Sequence, residues 1–211
     1  MRYLTLSLFV ILPLIMIGQK AEIISLPDAD KTGGMPLMEA LNERHSSREY
    51  SAKNLSNQQI ANMLWAAWGV NRDNGKHTAP SSRNKQEMEV YMSTADGLFL
   101  YLPEKHALKK IHDKDIRAIT GGQDFVDDAA VNLIFVADYR KAGDDVTADD
   151  YRCTSGTNAG FMSQNVYLWC ASEGLATVVR GWFDREELHE AMGLEVFRDV
   201  ILCQTVGYPA K

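Results

Sequence analysis

The chain has 211 residues, 45% of them hydrophobic and 24% charged, with 22 Lys+Arg against 28 Asp+Glu for a formal charge of −6. That composition fits one globular domain and excludes a disordered tail, a collagen-like fibre and a disulfide-stapled mini-protein, because Cys153, Cys170 and Cys203 are too few and odd in number. A mildly acidic surface gives no electrostatic reason to bind nucleic acid.

Residues 1–18, MRYLTLSLFVILPLIMIG, place Arg2 ahead of an almost wholly apolar run from Leu4 to Ile17. The run is shorter than the roughly 20 apolar residues that cross a bilayer. It reads as a secretory signal peptide cleaved after Gly18, which implies an exported chain, in a bacterial periplasm, with no stable membrane span after cleavage. An uncleaved N-terminal anchor is the alternative. Residues 19–35 form a polar, turn-rich lead-in, and residues 36–211 form the domain.

Pro36 starts a short helix to Arg44, with Leu37, Met38 and Leu41 at helical spacing. Ser56 and Gln59 form a capping box ahead of a helix carrying Ile60, Met63, Leu64, Ala67 and Trp68 on one face, ended by Gly69. Asn71 to Lys85 is a long polar loop. Glu89–Thr94 and Leu98–Leu102 read as a hairpin turning at Asp96-Gly97. Glu104 to Thr120 reads as a helix stopped by Gly121-Gly122. Val131–Ala137 is a buried strand, and residues 139–152 an acidic loop. Thr157–Ser172 is a central helix capped by Gly174. Leu175–Val179 is a strand, Asp184 opens a last helix that Gly193 closes, and Val200–Val206 is the final strand. Without a regular βαβ alternation, this order predicts an α+β or α/β layered domain on a sheet of four or five strands.

Several chemistries are excluded by spacing. His45, His77, His106, His112 and His189 make no metal-ligand pattern, so no metal is expected. No glycine-rich phosphate loop and no GxSxG elbow occurs. Cys170 and Cys203 fall in apolar elements, where thiols are inert. Two polar segments remain. In Arg44-His45-Ser46-Ser47-Arg48-Glu49-Tyr50, an extended backbone puts Arg44, Ser46 and Arg48 on one side, a set suited to a phosphate. Pairing of Arg44 and Arg48 with Glu43 and Glu49 is the alternative. The second segment, Thr78 to Gln86, is a loop whose small residues admit a planar ligand.

Together these segments resemble the FMN-dependent nitroreductase-like family. Arg44 to Tyr50 resembles its opening RxSxR-aromatic motif, Ala79-Pro80-Ser81-Ser82-Arg83-Asn84 its second flavin loop, Gly174 to Gly181 the strand and turn passing the flavin N5, and Val206-Gly207-Tyr208-Pro209 its terminal strand. The stretches WAAWGVNR and DGLFLYLPEKHAL most resemble the branch of SagB-type peptide azoline dehydrogenases. The second flavin loop departs from that branch, which more often has small residues and a Tyr-Pro there.

The resemblance implies an α+β nitroreductase-like layered fold: a mixed, mostly antiparallel sheet flanked by helices, in a homodimer with FMN at the interface. Arg44 and Ser46 would hold the phosphate and ribityl chain, and Arg48 would sit near the flavin N1/O2 edge. Pro80, Ser81, Ser82 and Asn84 would reach the flavin of the other subunit. Gln123 would bond the pyrimidine ring, and the turn at Arg180-Gly181 would offer a backbone N–H to N5. The implied activity is a two-half-reaction transfer of two electrons from a small donor to a nitroaromatic, quinone or similar acceptor, with the chemistry carried by the cofactor and no protein acid or base named. An exported flavin-binding or flavin-free interaction protein on the same fold is the alternative. Many members extend beyond the last strand with an arm that wraps the partner, so a less entwined dimer is expected here.

Overall fold

The computed structural model describes residues 22–141, 143 and 147–210, so the signal-peptide reading of residues 1–18 lies outside the described residues. Seven strands form one sheet. They are β1 (Ile23–Ser25), β2 (Met88–Thr94), β3 (Gly97–Leu102), β4 (Ala107–His112), β5 (Val131–Asp138), β6 (Ala176–Arg180) and β7 (Arg198–Gly207). Their order is β1-β4-β3-β2-β5-β7-β6, and every pairing is antiparallel. The helices are α1 (Leu37–Glu43), α2 (Asn57–Trp68), α3 (Ala148–Glu173) and α4 (Arg185–Met192). This is the α+β layered fold expected.

Local chemistry fixes several boundaries. Ser56 Oγ accepts from the Gln59 N–H while Gln59 Oε1 accepts from the Ser56 N–H, so the first turn of α2 satisfies donors that a helix start leaves open. Gly69 ends α2 because a Cβ there would overlap the Trp65 ring and carbonyl. Asp184 accepts from the N–H groups of Glu186 and Glu187 to start α4.

Three expectations need correction. The sheet has seven strands rather than four or five. One of them, β1, comes from the lead-in, where Ile24 pairs with Leu108. Residues 104–120 are not a helix: β4 returns along β3, then a short 3₁₀ turn covers Arg117–Thr120. The segment has helix-forming Ala, Leu and Lys, but pairing on both sides of β4 outweighs that weak local preference. The central helix starts at Ala148, inside the stretch read as an acidic loop. Thr147 Oγ1 accepts from the Asp150 N–H, and Asp149 and Asp150 sit in the first turn, where negative charge meets the helix dipole favourably.

The sheet divides two cores. On one face α2 and α3 pack Met63, Leu64, Met162 and Val166 against Val90, Leu133 and Phe135. On the other, α4 packs Leu188 and Met192 against Leu98, Ile134, Val136 and Cys203. β5 is buried along its whole length, so it holds the sheet in register while β6 forms one edge.

Candidate functional site

The edge of β6 is covered by the Arg44–Tyr50 segment. The Ser47 N–H donates to the Thr177 carbonyl at 3.0 Å, and Tyr50 bridges to Pro209 beyond β7. Along this segment Arg44 is half-buried, while Ser46 and Arg48 are exposed. Arg44 caps α1 and lays its guanidinium over the Tyr167 ring at 5.2 Å. The Tyr167 hydroxyl accepts from the Val179 N–H and shares a hydrogen bond with Ser46 Oγ, both at 2.9 Å. Tyr167, from α3, thus ties the motif to β6. Neither Arg44 nor Arg48 forms an ion pair with Glu43 or Glu49; Glu43 accepts instead from the Asn42 amide.

The far end of β6 carries a second group. Arg180 is 5% exposed and donates to Thr120 O and Asn132 Oδ1, each at 2.6 Å, and to Thr120 Oγ1 at 3.3 Å. Gly121 must be glycine, since a Cβ would overlap Arg180 Nη1. The Gly122 N–H donates to the Trp182 carbonyl at 3.0 Å, which locks this loop to the turn after β6. Beside it, Gln123 Oε1 is buried without a partner. At Gly181 an added Cβ would meet only Leu202 Cδ2, at 3.9 Å, so the chain's own packing does not demand glycine there. Trp182 is 66% exposed with its indole against Gly122. Tyr50 donates to the Ser47 carbonyl at 2.8 Å and packs on Gly207. Burial holds its phenol far above the usual value, with Arg180 pulling the other way.

The Pro80–Asn84 loop lies apart. Ser81 Oγ accepts from the Gln86 N–H at 3.0 Å, and Arg83, Asn84 and Gln86 sit at φ of 51°, 54° and 50°. Left-handed backbone at three non-glycine residues is strained, and strain of this kind collects at ligand sites. The loop borders a cleft of about 220 Å³ with Trp68, Arg72 and His77. His77 stacks on Trp68 at 4.1 Å, and burial pulls its imidazole below the usual value. A separate cavity of about 310 Å³, walled by Leu26, Leu55, Met92 and Phe99, contains none of the expected site residues.

The nitroreductase family model matches residues 41–208. The chain belongs to the nitroreductase family. A nitroreductase-like protein of Ralstonia eutropha, known as a crystal structure, is 40% identical with a TM-score of 0.86, covering 96% of this chain and 97% of that one. A curated relative from Methanocaldococcus jannaschii, named as a nitroreductase by similarity, is 30% identical over 184 residues, 82% of this chain and 91% of the relative. A Desulfovibrio desulfuricans structure of this fold, solved in complex with FMN, is 20% identical with a TM-score of 0.62 over 85% of this chain and 89% of that one.

As a nitroreductase-family chain, the protein gathers six of its ten expected site residues around β6. Arg44, Ser46 and Arg48 lie along its edge segment, and Gln123, Arg180 and Gly181 lie at its end. Pro80, Ser81, Ser82 and Asn84 share no hydrogen bond or ion pair with those six among the described residues. Tyr167 escaped the sequence reading because it sits in a long helix with apolar residues on most faces. The residues present fit a phosphate-bearing planar ligand: two cations without an ion pair among the described residues and a hydroxyl at one point, a buried amide oxygen without a hydrogen-bond partner among them and an open glycine at another.

Proposed function

We propose that the protein is an FMN-dependent oxidoreductase that passes two electrons to a nitroaromatic, quinone or similar small acceptor. The observation that carries this reading is β6 itself, flanked by ion-pair-free Arg44 and Arg48 on one side and by the open Gly181 turn with the orphaned Gln123 Oε1 on the other. FMN, when bound, supplies reversible two-electron uptake at N5.

The chain's own residues do the holding. Arg44 and Ser46 bind the phosphate and ribityl chain, pre-placed by Tyr167 so that little ordering is required on binding. Arg48 faces the N1/O2 edge. The Gly181 N–H addresses N5, and the Gln123 amide bonds the pyrimidine. The open face beside Trp182 admits the acceptor. We assign the Pro80, Ser81, Ser82 and Asn84 loop to the flavin of a second copy, in a homodimer. Leu37, Met38 and Leu41 on α1 and Phe161 on α3 are exposed at 43–76%, and α1 packs on α3, so an apolar face is available for that contact.

Reading residues 1–18 as a secretory signal places the protein where NAD(P)H is scarce, so the donor is a quinol, a redox protein or an oxidisable substrate. No helix among the described residues is long and apolar enough to cross a membrane. The test is the visible spectrum and gel-filtration size of the protein expressed without residues 1–18, before and after FMN addition, followed by NAD(P)H oxidation. A flavin band co-eluting with a dimer supports the reading. A colourless protein that releases added FMN overturns it in favour of an interaction protein. Rapid turnover with NAD(P)H would remove the argument for another donor.

A further inference from the structure

Arg180 is the one buried arginine among the described residues. It is 5% exposed, yet its acceptors, Thr120 O, Thr120 Oγ1 and Asn132 Oδ1, are all neutral, and its Nε has no partner. Two part-buried arginines meet carboxylates: Arg117 meets Asp115 and Arg198 meets Glu89; part-buried Arg44 lies over the Tyr167 ring. The two titratable groups that Arg180 senses stay neutral, since burial pushes the Cys203 thiol up to about 12 and the Tyr50 phenol higher. Asn132 is itself fixed, accepting from Thr205 Oγ1 at 2.7 Å and donating to the Val126 carbonyl at 2.5 Å. The network therefore orients the guanidinium without cancelling its charge. A buried charge in such a setting is costly unless something else meets its field. The residue after it is Gly181, and its Nη1 abuts Gly121, two residues before the orphaned Gln123.

We propose that Arg180 is held uncancelled so that its charge acts on the group bound at the Gly181 turn and favours that group's reduced, negatively charged form. This rests on the reading of the site as an FMN site. Uptake of two electrons with one proton at N5 leaves the flavin ring with one net negative charge. A fixed positive charge in a low-dielectric setting stabilises that form over the neutral oxidised one.

The experiment compares the full-length protein with Arg180→Gln, Arg180→Lys and Asn132→Asp. FMN affinity is measured by fluorescence quenching, and the flavin midpoint potential by dithionite titration against reference dyes. Arg180→Gln removes the charge. Asn132→Asp keeps Arg180 and places a carboxylate against it, so a merely structural role for Arg180 would leave its potential unmoved. The expected result is FMN retained in all four proteins. In Arg180→Gln and Asn132→Asp, preference for reduced over oxidised FMN falls at least tenfold, a drop of about 30 mV for a two-electron couple. Arg180→Lys stays close to wild type. FMN bound with an unchanged potential in Asn132→Asp, and in Arg180→Gln if it folds, overturns the proposal while the FMN assignment stands. Failure of the wild-type protein to bind FMN overturns both.

Discussion

At one end of β5, Arg198 reaches Glu89 at 2.8 Å and Asp138 at 3.9 Å and also pairs with Glu195, while Arg140 closes on Asp138 at 2.6 Å. At the other end, Arg180 reaches Asn132 and Thr120 at 2.6 Å each and meets no carboxylate among the described residues. Geometry is comparable at the two ends; charge balance is not. The first cluster is closed on itself and joins the starts of β2 and β7 to the end of β5, a structural use of charge. The second spends the same kind of side chain without local neutralisation, beside a glycine whose Cβ would have room. What distinguishes the two ends of this sheet is therefore the missing anion, not the presence of arginine.

The comparison breaks most visibly at Arg198. Arg198→Met leaves the part-buried Glu89 without its cation, while Asp138 keeps Arg140, and is expected to cost about 2–3 kcal/mol in chemical denaturation, with FMN affinity unchanged. A flavin defect without a stability loss would mean that the two ends have been assigned the wrong way round. Next is Arg44→Ala, which removes a charge-assisted contact worth about 1.5–3 kcal/mol of FMN binding. Its melting temperature should move little, and equal affinity in a titration would show that the phosphate lies elsewhere.

The glycines sharpen the contrast within the binding end. Gly121→Ala drives a methyl into Arg180 Nη1 and is expected to destabilise by about 1–3 kcal/mol. Gly181→Ala should cost under about 1 kcal/mol in the apoprotein and yet weaken FMN, because only a ligand competes for that space. Equal denaturation midpoints for the two variants would contradict the packing described. The smallest effect is on acid stability. Burial pushes the Asp138 carboxyl up, but hydrogen bonds and charge from Arg140, with charge from Arg198, outweigh it and hold the group below the usual carboxylate value. Its contribution is complete above about pH 4, the unfolded value, and is lost as pH falls through the lower folded value. Asp138→Asn should flatten that acid limb in a pH series of melting curves.

Much of the architecture was legible because it rests on local signals. The Ser56-Gln59 box, the Asp96-Gly97 turn and the apolar run of β5 each state their structure within a few residues. β4 was not legible, because Ala107-Leu108-Lys109-Lys110 favours helix locally and only its neighbours on both sides make it a strand. The start of α3 was legible in principle: Thr147 followed by Asp149 and Asp150 is a helix-start pattern read as loop acidity. In the candidate site, Arg44, Ser46 and Arg48 could be singled out by their period of two. The neutral cage of Arg180 could not, since Asn132 and Thr120 lie 48 and 60 residues away in sequence. Tyr167 was hidden for the same reason, reaching Ser46 across 121 residues.

The three residues of β1 also finish one side of the sheet. Ile23, Ile24 and Ser25 occupy the outer side of β4, and the Lys110 N–H donates to the Glu22 carbonyl at 2.9 Å. A peptidase cut upstream of Glu22 leaves this ladder whole. A cut a few residues later would strip it away and bare a row of backbone donors and acceptors on β4, the kind of open border along which separate molecules zip into aggregates. The short strand thus works as a selvedge: with it the sheet ends in a finished edge, and without it in a frayed one.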